Sequence, residues 1–266
     1  MPPEISGHTR LYGIVADPIH HVRTPQRLNA LMRERGFDGV MVPIQVAAPD
    51  LPRLIDTLRL LPNFGGFVAT VPHKSAIPAL CDETSERCRA IGAANLVRRD
   101  PDGRMIADML DGEGFVAGLR AAGIEPAGRS AYLAGAGGAG SAIAFALAAA
   151  GVARLTLHNR TAARASALAE RVAAFRPGVP VAVGTADPAG HDLVVNATSL
   201  GLSPDDPLPF DCGRLDPRMV AAEIIMQPEV TPMMARAAAA GCRTHPGMPM
   251  LASQLEMMMD FLRMSA

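Results

Sequence analysis

The sequence predicts an α/β protein made of two successive β-α-β series, each forming its own domain. Short apolar runs alternate with stretches of helical period along most of the 266 residues. A glycine-rich loop, Gly135-Ala136-Gly137-Gly138-Ala139-Gly140, restarts the alternation midway. Such alternation implies parallel sheets covered on both faces by helices. No internal repeat or low-complexity linker interrupts it.

Taken in order, Leu11–Ala16 reads as a strand. Thr24–Arg35 reads as a helix capped by Thr24, with Pro25 in its first turn. Val40–Gln45 is a second strand, Asp50–Leu61 a second helix, and Gly66–Val71 a third strand closed by Pro72. Helical segments are expected around Ser75–Leu80 and Thr84–Ile91. Asn95–Arg98 and Met105–Asp108 flank Asp100-Pro101-Asp102-Gly103, a strong hairpin signal. Asp111–Ala122 reads as a connecting helix. The second series then runs through strand Arg129–Ala134, helix Ser141–Ala150, strand Leu155–His158, helix Thr161–Phe175 and strand Leu193–Asn196. A last helix, Met250–Met264, carries a methionine stripe best explained by core packing.

Composition narrows the function. A net charge of -1 without a basic run argues against a nucleic-acid partner, whose phosphates demand a cationic face. Two tyrosines and no tryptophan leave few stacking platforms for single strands. The four cysteines, Cys81, Cys88, Cys212 and Cys242, form no CxxC pair and no zinc spacing with histidine. Reduced thiols in a cytoplasmic protein and no metal are therefore expected. Met1–Arg10 is polar and reads as no signal segment. Ala131–Val152 has no charge, but its five glycines and a serine fit a nucleotide loop better than a membrane span. Of 25 basic residues only Lys74 is lysine. Arginine cannot give up its proton under ordinary conditions whereas an ammonium can, so a lone lysine marks a candidate for proton chemistry.

The glycine loop follows an apolar strand and opens an apolar helix. Its first glycine permits the tight turn, the second lets backbone approach a pyrophosphate, and the third lets helix pack on strand. The helix N-terminus adds N–H groups and positive partial charge. Gly135, Ala136, Gly137, Gly138 and Ala139 are therefore candidate dinucleotide contacts. An NAD site places Asp or Glu after the second strand, to accept from the ribose 2′-hydroxyl. This chain has Asn159-Arg160-Thr161 there, with Arg164 a turn further on. Two guanidiniums and no carboxylate suit a 2′-phosphate, so NADP(H) is the expected cofactor.

Together these segments resemble the shikimate dehydrogenase family from end to end. The resemblance rests on Asp17–Pro25, Ala69-Thr70-Val71-Pro72-His73-Lys74, Gly92-Ala93-Ala94-Asn95, Asp108-Met109-Leu110-Asp111-Gly112, the Gly135 loop, Asn159-Arg160-Thr161 and Asn196-Ala197-Thr198-Ser199-Leu200-Gly201. It implies a substrate domain of residues 1–110 and 248–266 and a Rossmann NADP-binding domain of residues 111–247. It also implies hydride transfer within aromatic amino acid biosynthesis and a monomer or homodimer. Lys74 and Asp111 match the family's catalytic pair. A lysine desolvated in a cleft can have its pKa lowered toward neutrality, and the carboxylate fixes it and accepts a bond from the substrate hydroxyl. Thr70, Asn95 and Gln254 match substrate-binding positions. Asn196, Thr198, Ser199 and Gly247 fall at cofactor-side positions.

The departures lie on the substrate side. The family's Ser-x-Ser, which holds the substrate carboxylate, is Val22-Arg23-Thr24, and a family tyrosine is Met226. The family's asparagine before the Thr70 motif is Val68, its Asn-Thr before the aspartate is Met109-Leu110, and its Asn-Ala-Asp-Gly is Thr244-His245-Pro246-Gly247. Arg23, His20 or His21 could replace the missing serines. The expected substrate is thus a small cyclic hydroxy/keto compound other than shikimate. Genuine shikimate or quinate oxidation and a non-catalytic NADP(H)-binding regulator are the alternatives. Retention of both Lys74 and Asp111 speaks against the regulator, which needs neither.

Overall fold

The computed structural model describes residues 5–20 and 22–264. The chain divides into two compact units, Met1–Leu110 with Gln254–Ala266 and Asp111–Ser253.

The first unit contains β1 (Arg10–Ala16), α1 (Thr24–Glu34), β2 (Gly39–Gln45), α2 (Leu51–Arg59), β3 (Phe64–Ala69), α3 (Ile77–Leu80), β4 (Glu83–Thr84), α4 (Glu86–Ile91), β5 (Leu96–Arg99) and β6 (Met105–Asp108). The sheet order is β2-β1-β3-β5-β6-β4. Central β3 is buried along its whole length, the mark of a strand covered on both faces. Phe64 and Phe67, fully buried, contribute about 1.5–3 kcal/mol each. Helix α2 presents Leu51, Ile55 and Leu58 to this core at helical spacing, with charged residues opposite.

Three expectations need correction here. The sheet is mixed, because β5 runs antiparallel to both β3 and β6. The Asp100–Gly103 turn joins β5 to β6 with Gly103 at φ +88, and strands joined by so tight a turn must be antiparallel. Thr24 does not cap α1. Arg23 holds the cap position without a side-chain bond, and Thr24 is the first, buried helical residue. The third strand ends at Ala69, because His73 N donates to Thr70 O at 2.8 Å and closes a turn that leaves Val71 exposed.

The second unit holds α5 (Asp111–Ala121), β7 (Ser130–Ala134), α6 (Gly138–Ala149), β8 (Arg154–His158), α7 (Ala162–Phe175), β9 (Val181–Val183), β10 (Leu193–Asn196), β11 (Val220–Glu223), α8 (Pro232–Ala239), β12 (Arg243–His245) and the start of α9 (Met248–Phe261). From Gln254 onward α9 belongs to the first unit. The sheet order is β12-β11-β10-β7-β8-β9, with every pair parallel. Helix α6 is made of small and apolar residues and is buried on nearly all sides. It packs so closely on α5 that a Cβ at Gly112 would lie 2.3 Å from Ala142 O. No helix among the described residues is long and apolar enough to cross a membrane.

Candidate active site

In the first unit, the sheet gathers the substrate-side candidates at one end. Parallel pairing sets Ala16 beside Gln45 and Val15 beside Ala69, so β1, β2 and β3 finish together. Antiparallel β5 starts where β3 stops, and β6 ends beside the start of β5. Thr70, Lys74, Asn95 and the Asp108–Leu110 segment therefore meet at this edge. The loop carrying half-buried Val22 and Arg23 leaves from the end of β1. Asp17 N donates to Val71 O at 3.1 Å, tying the first loop to the turn after β3. His20 is exposed, whereas His21 lies outside the described residues.

Lys74 is half-buried in a 3-10 turn of His73–Ser75. Its carbonyl accepts from Ala94 N at 2.9 Å, which holds the turn against the strand bearing Asn95. The buried His73 ring, through Nε2, is 3.0 Å from Val46 O and anchors the turn from below. Burial pushes the His73 imidazole below its ordinary value, outweighing the Val46 carbonyl and Asp17, so it stays neutral near pH 7. Asn95 is buried. Its Oδ1 accepts from Leu110 N at 2.8 Å, and its Nδ2 donates to Gln254 Oε1 at 3.3 Å. Two of the substrate-side residues expected from sequence are thus joined directly.

Asp108 was not singled out from sequence, yet it fixes the segment running to Asp111. Its carboxylate accepts from Arg87 Nε at 2.7 Å, from Met109 N at 2.8 Å and from Ser85 Oγ. Burial alone would raise its pKa. These donors outweigh burial and hold the carboxyl below the usual range. Asp111 is buried in the first turn of α5 and belongs to the second unit, as does half-buried Met226.

In the second unit the chain winds one way from β7 through β8 to β9, then crosses to β10, β11 and β12 on the other side. The switch falls between β7 and β10, where open parallel sheets take their ligands beyond the carboxyl ends of the strands. Ala134 pairs with His158 on one side and Asn196 on the other, and Asn196 pairs with Glu223. The cofactor candidates follow these aligned ends.

The three glycines of the loop do separate jobs. Gly135 has φ +111, and a Cβ there would lie 2.6 Å from Ala197 O. At Gly140 a Cβ would lie 2.3 Å from Gly135 O, so α6 can start close under the loop only without a side chain. Gly137, half-way between, has φ -84 and nothing within 4 Å of a built Cβ. That open space is where a phosphate group could approach the backbone. Ala136 N donates to Asn159 Oδ1 at 3.1 Å, and Asn159 Nδ2 donates to Thr161 O at 3.0 Å. Asn159 thereby clips the glycine loop to the start of α7. Arg160 and Arg164 are exposed there, without a carboxylate partner among the described residues, and Gly138 and Ala139 open α6.

Beyond β10, Asn196 is fully buried and accepts from Thr198 N at 3.0 Å and from Thr198 Oγ1 at 2.7 Å. This bends the chain so that Ser199 is exposed. Glu223, also missed from sequence, holds Asn196 in turn. Its carboxylate accepts from Asn196 Nδ2 at 2.9 Å, Thr231 Oγ1 at 2.9 Å, Ile224 N at 2.8 Å and Ile225 N at 3.1 Å. Burial pushes the Glu223 carboxyl up, against the opposing pull of these donors. The same bend brings Ile225 O to 2.4 Å from where a Gly247 Cβ would stand, so only glycine fits at that position. One buried acid thus organises the segments carrying Thr198, Met226 and Gly247. The available signal was a single acid inside an otherwise apolar run, residues 219–226.

Comparison with known proteins adds independent information. Residues 14–97 match a family model described as the shikimate dehydrogenase substrate binding domain. A curated shikimate dehydrogenase (NADP(+)) of Rubrobacter xylanophilus is 40% identical over 239 residues, covering 89% of this chain and 84% of that one. The solved shikimate 5-dehydrogenase of Thermus thermophilus, in complex with NADP(H) and shikimate, superposes with a TM-score of 0.85 at 31% identity. It covers 96% of this chain and 93% of that one. The ligand-free 5-ketofructose reductase of Gluconobacter sp. strain CHM43 gives a TM-score of 0.84 at 31% identity, covering 97% and 94%.

Proposed function

The chain belongs to the shikimate dehydrogenase family, and from that premise we propose that it interconverts a cyclic hydroxy compound and its ketone, with a substrate other than shikimate. It is an NADP-dependent dehydrogenase acting on CH–OH groups. The glycine loop fits the dinucleotide, since Gly137 leaves open space for a pyrophosphate and Arg160 and Arg164 carry unneutralised charge for a 2′-phosphate. When bound, NADPH supplies the hydride.

The chain's own residues handle the proton and the fit. Lys74 donates a proton to the carbonyl oxygen during reduction and takes it back from the hydroxyl during oxidation. Asp111, the other member of the pair that the family resemblance implies, accepts from the substrate hydroxyl. Asn95 and Gln254, linked at 3.3 Å, form the polar wall that orients the ring, with Thr70 beside them. Thr198 and Ser199 cover the cofactor side, and Gly247 admits it closely.

The choice of substrate rests on one observation. Half-buried Val22 and half-buried Met226 stand where the family resemblance expects a serine and a tyrosine. Each lost partner leaves a polar group of a carboxylated, polyhydroxylated substrate unpaired, at about 1–3 kcal/mol. Two such losses weaken binding by about a hundredfold or more. The similarity to a 5-ketofructose reductase supports a keto compound without a carboxylate. The rival reading, reduction of 3-dehydroshikimate, draws on the name of the 40% identical relative and on the retained Asn95 and Gln254.

NADPH oxidation measured across 3-dehydroshikimate, other cyclic keto acids, cyclic ketones and keto sugars separates the two. We expect kcat/KM for a compound lacking the carboxylate to exceed that for 3-dehydroshikimate by about a hundredfold. If 3-dehydroshikimate is the best substrate, the reading of Val22 and Met226 is wrong and the rival stands.

A further inference from the structure

A second feature of the first unit lies at the opposite end of its sheet. A cavity of about 210 Å³ is lined by Arg10, Arg98, Arg99 and Arg263, with Phe37 and Leu262 among its apolar walls. Arg10 begins β1, Arg98 and Arg99 end antiparallel β5, and Arg263 follows α9. Thr70 and Lys74 follow the far end of β3, which runs parallel to β1. The seven residues of β1 at roughly 3.3 Å rise separate the two ends by about 20 Å.

The charges of this cavity do not balance. Asp100 receives Arg98 Nε at 2.8 Å and lies 3.2 Å from Arg263 Nη1, so one carboxylate serves two guanidiniums. Among the described residues neither Arg10 nor Arg99 has a carboxylate partner. Arg10 Nη1 donates to Pro62 O at 3.3 Å, while Arg99 donates to Arg59 O at 2.9 Å and Asp100 O at 3.1 Å. Arg99 follows Arg98 on β5 and therefore points to the other face of the sheet, where the carbonyls of Arg59 and Asp100 hold it. The unbalanced charge facing the cavity is thus that of Arg10, Arg98 and Arg263 against Asp100 alone.

Arg263 adds a separate observation. It has φ +54 and forms the last turn beyond α9, where its N donates to Asp260 O and Met264 N donates to Met259 O. This is a helix-terminating arrangement in which glycine is the unstrained residue. The chain instead holds an arginine in the left-handed conformation, facing Asp100 and the cavity.

We propose that this cavity is an anion-binding site for a small polyanion whose phosphate or carboxylate oxygens bridge the guanidiniums. The fork of N–H donors on arginine matches both oxyanions. The volume lies below the roughly 300 Å³ at which sites for larger organic ligands begin, so it suits a compact ion and not a dinucleotide.

Isothermal titration of the full chain with pyrophosphate and, separately, with citrate tests this, at constant ionic strength of about 0.15 M. Saturable 1:1 binding is expected for at least one probe, and which one binds distinguishes a phosphate from a polycarboxylate ligand. Arg10→Gln and Arg263→Gln, both lying outside the candidate active site, should each weaken that binding about tenfold and leave NADPH oxidation unchanged. Lack of saturable binding by either probe overturns the proposal. So does binding that both variants leave intact, which would assign the anion to the glycine loop of the second unit.

Discussion

Gly135 and Gly137 stand two residues apart in one loop, and alanine at each should have opposite consequences. At Gly135 an alanine meets two obstacles. Its backbone would have to keep φ +111, at about 1–2 kcal/mol, and its Cβ would press on Ala197 O at 2.6 Å and Thr198 N at 3.1 Å. Relieving contacts that close on backbone atoms costs about 1–3 kcal/mol more. Gly135→Ala should therefore lose about 2–5 kcal/mol, a large share of the 5–15 kcal/mol typical of a domain. Gly137 has ordinary extended geometry at φ -84 and ψ -170, with no atom within 4 Å of a built Cβ. The reduced freedom of the unfolded chain offsets the poorer helix cap, so Gly137→Ala should stay within about 0.5 kcal/mol of the parent. Its Cβ, however, would occupy the space assigned to the pyrophosphate. We expect NADPH affinity to fall at least about tenfold, or about 1.4 kcal/mol. Urea unfolding followed by circular dichroism gives the stabilities, and NADPH fluorescence titration gives the affinities. A Gly137→Ala protein that binds NADPH like the parent would refute the cradle, whatever its stability.

Arg160→Asp should weaken NADPH at least about tenfold more than NADH; equal losses in parallel titrations would remove the 2′-phosphate assignment. Glu223→Gln places an amide donor among groups that already donate, and loosening the Asn196–Thr198 bend should raise KM for NADPH several-fold with little change in kcat. An unchanged KM would mean that the bend holds without the carboxylate. The depressed pKa of Asp108 gives stability that is present above its unfolded value of about 3.9 and is lost as pH falls through the lower folded value. Asp108→Asn should accordingly lower Tm at pH 7, with the gap to the parent closing below about pH 4. A gap independent of pH would contradict that account.

The parts of the fold legible in the sequence were those with a strong local signal. The Leu193–Asn196 strand was read to the residue, because a short apolar run ends at a polar residue. The hairpin was read from its Asp-Pro-Asp-Gly turn, although the antiparallel strands this implied were not carried into the expected sheet. β11 and α8 went unread because Val220–Glu223 and Pro232–Ala239 are short and rich in alanine, whose small side chain leaves little hydrophobic contrast for a period of 2 or 3.6 to show. β9 and β12, three residues each, are too short to show a period. At the site, loop glycines and the lone lysine announce themselves by residue type. Asp108 and Glu223 do not, since each acts through buried hydrogen bonds to partners 21 to 27 residues away as well as to near neighbours. Asn95 and Gln254 are 159 positions apart, and local pattern gives no sign that they meet.

The most direct test of the central claim is turnover by Lys74→Met, measured beside NADPH affinity in the same preparation. Methionine keeps much of the aliphatic stem and removes the only ammonium side chain in the protein. With Lys74 as the proton donor and acceptor, NADPH oxidation should fall by about 10²–10⁴-fold, while the NADPH dissociation constant stays within about twofold. Turnover that survives the substitution at near-parental rate would contradict the mechanism.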